Sequence, residues 1–304
     1  MVLGLSPYFI LLDFFLFSFA GWIYESAFVS IRDRKPVNRG FLVGPVLPLY
    51  GLGAVSVYIL LRPFSHIPTL LFITGMVLAT VIEYITSWLL EICFHAKWWD
   101  YSQEPYNFQG RVALIPSLFW GLLSLILFDF LQPLATKIIY AIPHTVGNAI
   151  LTISILVMAL DTIYTIITAI NFRKQLEKLY EFRNELDGLL SELPSIRKWF
   201  IGTIREWSDK LPSREMLAEK LKSVPKNPSE NDSKFSAIEE RIKNYWETYT
   251  SFLKKRPFTS NKRLLDAFPT MKFFPKNHSP VSVKDFLGNI RKKVSNKKKD
   301  TQDF

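Results

Sequence analysis

The run PTLLFITGMVLATVIEYITSWLLEICF, residues 68–94, decides the fold. It is 27 residues long and its only charges are Glu83 and Glu91. About 20 predominantly apolar residues in a helix cross the roughly 30 Å hydrocarbon layer of a bilayer, so this run predicts a membrane-spanning helix over about 68–95. Similar runs lie on either side, at about 8–31, 41–61, 112–131 and 143–171. Five such helices joined by short loops leave too little polar surface to cover them in water. The expected fold is therefore all-α: a five-helix transmembrane bundle over residues 1–171. A helical, basic cytoplasmic extension follows over 172–304.

Charge divides the chain at the same point. The 304 residues carry a net charge of +10. Residues 1–171 hold eight Lys/Arg against nine Asp/Glu, a net −1, and residues 172–304 hold 29 against 18, a net +11. This split excludes a uniformly soluble domain. A 49% hydrophobic composition excludes wholesale disorder. Cys93 is the single cysteine, so no intramolecular disulfide framework exists.

Basic residues favour the cytoplasmic side of a membrane. Arg32, Arg34, Lys35 and Arg39 follow the first run, and Lys97 and Arg111 follow the third. Arg62 and Lys137 stand alone in the two intervening turns. With five crossings, this pattern puts the N-terminus outside and the basic tail inside the cell membrane. The first run lacks a basic leader and a small-x-small cleavage site, so it reads as an anchor rather than a cleaved signal.

Charge inside the bilayer is costly, about 2.5–3.5 kcal/mol per residue at the centre on insertion scales. Four acids are placed there: Glu25, Glu83, Glu91 and Asp161. Helical spacing puts Glu83, Ser87 and Glu91 on one stripe, Ser18, Gly21 and Glu25 on a second, and Ser154, Asp161, Thr165 and Thr168 on a third. The three stripes suggest a polar interior that takes a polar solute, an ion or a proton. Interhelical hydrogen bonding is the structural alternative. His95 follows Glu91 at i,i+4, but His66, His144 and His278 lie elsewhere, so no metal site is expected.

The inner loops are unusual. Residues 38–54, NRGFLVGPVLPLYGLGA, contain Gly40, Gly44, Pro45, Pro48, Gly51 and Gly53, too many breakers for a smooth helix. Such backbone at membrane depth requires burial in protein or a cavity to line. In the second loop, Trp98, Trp99 and Tyr101 suit an interfacial belt, whereas Asp100, Asn107 and Arg111 are less expected. Arg39 and Arg111 have three readings: pairing with Glu25, Glu91 or Asp100, gripping an anion such as a lipid head group, or snorkelling at helix ends.

The runs GWIYE (21–25), NRGFLVGPVLPLYGLGA (38–54), EYITSWLLE (83–91) and WWDYSQEPYNFQGRVALIPSLFWG (98–121) resemble the CmpB-type family of bacterial ABC-transporter permeases, type IV. The resemblance covers most of residues 8–171, with a shorter echo in NKRLLDAFPTMK, 261–272. It implies a multi-pass membrane protein with a transport role. It also implies that Glu25, Asn38, Arg39, Gly40, Gly44, Pro45, Pro48, Tyr50, Gly51, Glu83, Glu91, Trp99, Asp100, Tyr101, Asn107, Gly110 and Arg111 matter.

No G-x-x-x-x-G-K-[ST] phosphate loop is present. A transporter built on this chain needs a separate nucleotide-binding subunit, docked on the cytoplasmic loops or tail. No catalytic triad is identifiable, so no catalytic residue and no cofactor are expected. Two other functions fit the residues. One is a scaffold or regulator recruiting a partner through its tail. The other is a membrane-embedded enzyme acting on a lipid-linked substrate, with Glu25, Glu91, Asp100, Arg39 and Arg111 clustered at the inner face.

In the tail, the last membrane helix is expected to continue to about Pro194. An amphipathic stretch follows at 195–211, then a linker at 211–235 and helices at about 235–256 and 282–295. No nucleic-acid-binding signature accompanies the charge. Anionic lipid attracts Lys and Arg at about 1 kcal/mol each, so the bilayer is the expected partner of the basic tail, and nucleic acid is not.

Overall fold

A computed structural model describes residues 5–192, 240, 241, 244, 261–275 and 279–292. The expected amphipathic stretch at 195–211, the linker at 211–235 and most of the helix at 235–256 lie outside the described residues.

Helix α1 (Pro7–Asp33) starts at a serine cap, with Ser6 Oγ accepting from the Phe9 amide at 3.2 Å. Pro7 suits the first helical position, where its missing N–H is not needed. Helix α2 (Pro48–Leu61) runs into a short 3₁₀ turn, Arg62–Phe64. Helix α3 (Pro68–Phe94) ends at His95 in the left-handed conformation, φ 50°. Helix α4 (Leu114–Ile126), a π-helical stretch (Leu127–Leu131) and helix α5 (Gln132–Ala141) form one apolar helix. Helix α6 (His144–Glu192) is 49 residues long, and later described elements include the short helices α7 (Asn261–Ala267) and α8 (Val283–Lys292). Strands are confined to two-residue pieces. One pair is β1 (Asn107–Phe108) and β2 (Val112–Ala113), antiparallel with Asn107 opposite Ala113.

Among the described residues, four helices are long and apolar enough to cross a membrane: α1, α3, the α4–α5 helix and α6. The expected second span at 41–61 is shorter, an apolar helix of Pro48–Phe64. Its start is set by chemistry. Proline disfavours the helical region for the residue before it, and Leu47, preceding Pro48, is extended at φ −117°, ψ 91°. The fourth span is longer than the expected 112–131 and reaches Ala141, so Lys137 is helical. Pro133 lacks an N–H and crowds the preceding turn. The π-helical widening at Leu127–Leu131 lets the helix continue through it.

The described chain divides into two compact units, Met1–Ile170 with Phe258–Lys272, and Asn171–Pro257 with Phe273–Phe304. In the second unit, the rings of Tyr180, Phe273 and Phe286 meet at 5.7–5.8 Å, and Arg183 lies over Phe286 at 5.6 Å. In the first unit, α1 packs on α2 and α3 on α4. Phe17, Val57, Leu61, Leu71 and Leu127 form the central apolar contact. Helix α6 is the least buried of the four long helices. Its Ile153, Leu156, Leu160, Ile163 and Ile167 are exposed, as a lipid-facing surface requires.

Glycines permit the close packing of α1 and α2. A Cβ on Gly51 would collide with Ser18 Oγ and the Phe14 carbonyl, and one on Gly21 with the Tyr50 ring. Small residues of this kind let membrane helices approach closely. Gly51→Leu is expected to cost at least about 1–3 kcal/mol through overpacking. Gly53→Ala, with nothing within 4 Å of the added carbon, should be neutral. Thermal unfolding of both variants in detergent checks the contrast.

Candidate functional site

The loop between α1 and α2 is held from three directions. Asn38 holds it locally: its Oδ1 accepts from Trp22 Nε1 and the Gly40 amide, both at 2.9 Å, and its Nδ2 donates to the Val43 carbonyl at 2.7 Å. Ser26 Oγ accepts the Arg39 amide at 3.2 Å. From α6, Asp161 accepts the Val43 amide at 3.0 Å and the Gly44 amide at 2.7 Å, with Thr165 donating to the same carboxylate at 3.1 Å. From α7, Arg263 donates to the carbonyls of Gly40, Phe41 and Leu42 at 2.8–3.0 Å.

This backbone makes neither helix nor sheet there, so its polar groups need other partners. An acid takes two successive amides and a base takes three successive carbonyls. Burial pulls the Arg263 pKa below its ordinary value, and the neighbouring Asp161 and Tyr164 charges oppose that shift.

Four further contacts fix the 261–272 segment against the loops. Lys35 pairs with Asp266 at 2.6 Å, and Lys272 with Asp100 at 2.5 Å. Phe268 meets the Trp98 ring edge-on at 5.1 Å, and the Arg39 guanidinium lies 5.4 Å from the Phe268 centroid. Burial raises the Asp100 pKa, but the hydrogen bond and charge of Lys272, with help from Ser102, outweigh it and hold the group below 3.8. A depressed carboxylate contributes its full stabilisation above the unfolded value and loses it as pH falls below that. Docking of 261–272 is therefore expected to weaken as pH drops below about 3.8. Limited proteolysis across that range checks this, and Asp100→Asn should flatten the response.

The sequence-predicted acids separate into different networks. Glu83, 4% exposed on α3, accepts from Trp120 Nε1 at 2.9 Å and Tyr101 Oη at 3.3 Å. Glu25 accepts from Tyr50 Oη at 2.8 Å and lies 3.6 Å from Arg39 Nε. Tyr101 joins these two acids: its pKa is raised by burial first, then by the charge and hydrogen bond of Glu83 and the charge of Glu25, with Arg39 opposing. Glu91 pairs instead with Arg111 at 2.9 Å, beside Gln109 and the Tyr84 ring. Trp99 Nε1 donates to the Arg111 carbonyl at 3.0 Å.

Asn107 and Gly110 shape the second loop. Asn107 Oδ1 accepts the Gly110 amide at 3.0 Å, and the Gly110 carbonyl accepts the Tyr101 amide at 2.8 Å. Gly110 has φ 67°, and a side chain there would strike Asp100 and Ser102. His95 is exposed at the end of α3.

Glu25, Glu91, Asp100, Arg39 and Arg111 each have an ion-pair partner. They are divided among three ion pairs, Glu25–Arg39, Glu91–Arg111 and Asp100–Lys272. Asp161 serves loop backbone. Sequence reasoning missed Arg263, Lys272 and Trp120. The echo at 261–272 contains the first two but indicates no partner for them.

A cavity of about 300 Å³ lies among α1–α4. Four rings wall it in a continuous series. Tyr24 stacks on Phe119 at 6.1 Å, Phe119 adjoins Trp120 at 6.1 Å, and Trp120 meets Tyr50 edge-on at 5.4 Å. Glu83 is the charged residue in its lining.

Long apolar helices enclosing buried carboxylates and irregular loop backbone define a multi-pass integral membrane protein. Residues 12–166 match the family described as "Putative ABC-transporter type IV" (ABC_trans_CmpB), and the chain belongs to that family. The match takes in every sequence-predicted site residue and leaves α7 outside it. No curated protein and no solved structure matches the chain.

Proposed function

We propose that this protein is the permease-like membrane subunit of a transport system. Its nucleotide-binding subunit is a separate chain, because this one carries no phosphate loop. The cavity among α1–α4 carries the reading. It is large enough for a small solute, and it has a buried carboxylate in an otherwise apolar lining. Family membership supports the same conclusion. With α2 counted as a fifth crossing, the basic residues favour the cytoplasm for the loops at 34–47 and 95–113 and for the C-terminal region, and the outside for the N-terminus. The nucleotide-binding subunit docks on that cytoplasmic side.

The test is purification with associated proteins, then reconstitution. An ATPase should co-purify, and vesicles holding both chains should show ATP-dependent flux. A stable lone protein with neither property would overturn the reading. Glu83→Gln and Arg39→Ala are each expected to abolish flux while leaving membrane insertion intact. Wild-type flux in both would show that these groups only pack the bundle.

A further inference from the structure

We propose that the α1–α4 cavity binds an organic monocation with an apolar body, held by aromatic faces and by Glu83. This names a substrate class for the transport reading, and movement of the bound cation across the membrane rests on that reading.

Charge is the first reason. Among the described residues, no Lys, Arg or His nitrogen lies within 4.0 Å of the Glu83 carboxylate. Its two partners, Tyr101 and Trp120, are neutral donors, one to each oxygen. Both bonds point toward the carboxylate, so neither partner brings a positive charge to it. Arg39 is the near cation, and its Nε is 3.6 Å from Glu25. Arg39 is thus taken by Glu25, and Glu83 is left without a basic partner of its own. Asp161 and Glu91 do not present the same deficit: Asp161 has the Arg263 charge on the same loop and Glu91 has Arg111.

Shape and surface are the second reason. The quadrupole of an aromatic ring attracts a cation over its face, and the effect grows when water is excluded. Tyr24, Phe119, Trp120 and Tyr50 supply four rings around the cavity, and Glu83, bonded to Trp120, lines it with them. An inorganic ion finds few oxygen ligands in this lining. An anion meets uncompensated negative charge. A neutral hydrocarbon fits the walls but leaves Glu83 without a counter-charge. An ammonium carried on an apolar or aromatic body meets both requirements.

The probes are radiolabelled benzyltrimethylammonium and its neutral isostere neopentylbenzene, applied to the full chain in lipid nanodiscs. Saturable binding of the cation is expected, with the isostere a poor competitor. Glu83→Gln should weaken cation binding by roughly tenfold or more, whereas Glu83→Asp keeps the charge and retains part of it. Tyr24→Leu, which removes a rim ring that makes no hydrogen bond of its own, should weaken binding by about threefold. It keeps the test decisive if Glu83→Gln fails to fold. Absence of saturable binding overturns the proposal, as does equal competition by the isostere or wild-type affinity in both Glu83→Gln and Tyr24→Leu. Specific binding without ATP-dependent flux upholds this site and removes the transport reading instead.

Discussion

Arg263→Ala is expected to destabilise the 38–47 loop by about 3–5 kcal/mol, the cost of opening a buried, charged hydrogen-bond hub. The guanidinium is 7% exposed and satisfies three consecutive carbonyls, Gly40, Phe41 and Leu42. Alanine leaves those oxygens without their donor and opens space that the loop cannot easily close. The same change removes the guanidinium's hold on the loop backbone, whereas buried Leu264 and Ala267, two ion pairs and the Phe268 ring still hold the 261–272 segment. Burial of those apolar side chains remains favourable, so α7 should loosen rather than undock. Hydrogen exchange of amides 38–47 and trypsin cleavage after Lys35 and Arg39 should both accelerate. Arg263→Lys should recover only part of the protection, because an ammonium is a point donor and cannot match the fork. Unchanged exchange in Arg263→Ala would show that the loop is held by Asn38 and Asp161 alone.

The long helices were legible because apolar length is a local property. Residues 68–94 declare a span regardless of their neighbours, and the observed α3 covers Pro68–Phe94. Glycine and proline at 40–48 were equally informative, since their effect on backbone is local too. The limits of α4 and α5 were not legible. Pro133 looks like a stop, and only the π-helical widening before it lets the helix continue.

The site was legible as a set of residue types and not as a set of partnerships. Glu83 and Asp161 present the same pattern, an acid within an apolar run beside Ser or Thr. One faces a cavity and neutral donors. The other meets an amide 117 residues away in the chain. Spacing along one helix carries no information about such distant backbone. Arg263 was hidden for the opposite reason, as one of 29 basic residues beyond position 171.

The second large effect is expected at Asp161. Asp161→Ala removes the acceptor for the part-buried amides of Val43 and Gly44 and the charge nearest to Arg263. At about 1–1.5 kcal/mol per amide left without its acceptor, with a further share from Arg263, the loss is about 3 kcal/mol. Asp161→Asn should fall between, since its one oxygen keeps one amide while its NH₂ opposes the other. Asp161 and Arg263 hold adjacent parts of one loop, so their effects should not add. A double-mutant cycle should show the pair losing about 1–2 kcal/mol less than the sum of the singles. Gly44 isolates the carboxylate's part. A Cβ there lies 3.0 Å from Asp161 Oδ2, so Gly44→Ala should shift the acid slightly and weaken its amide bonds in wild type. In the Asp161→Ala background the same change should be harmless. Equal harm in both backgrounds would mean that the loop needs glycine at position 44 for a reason other than Asp161.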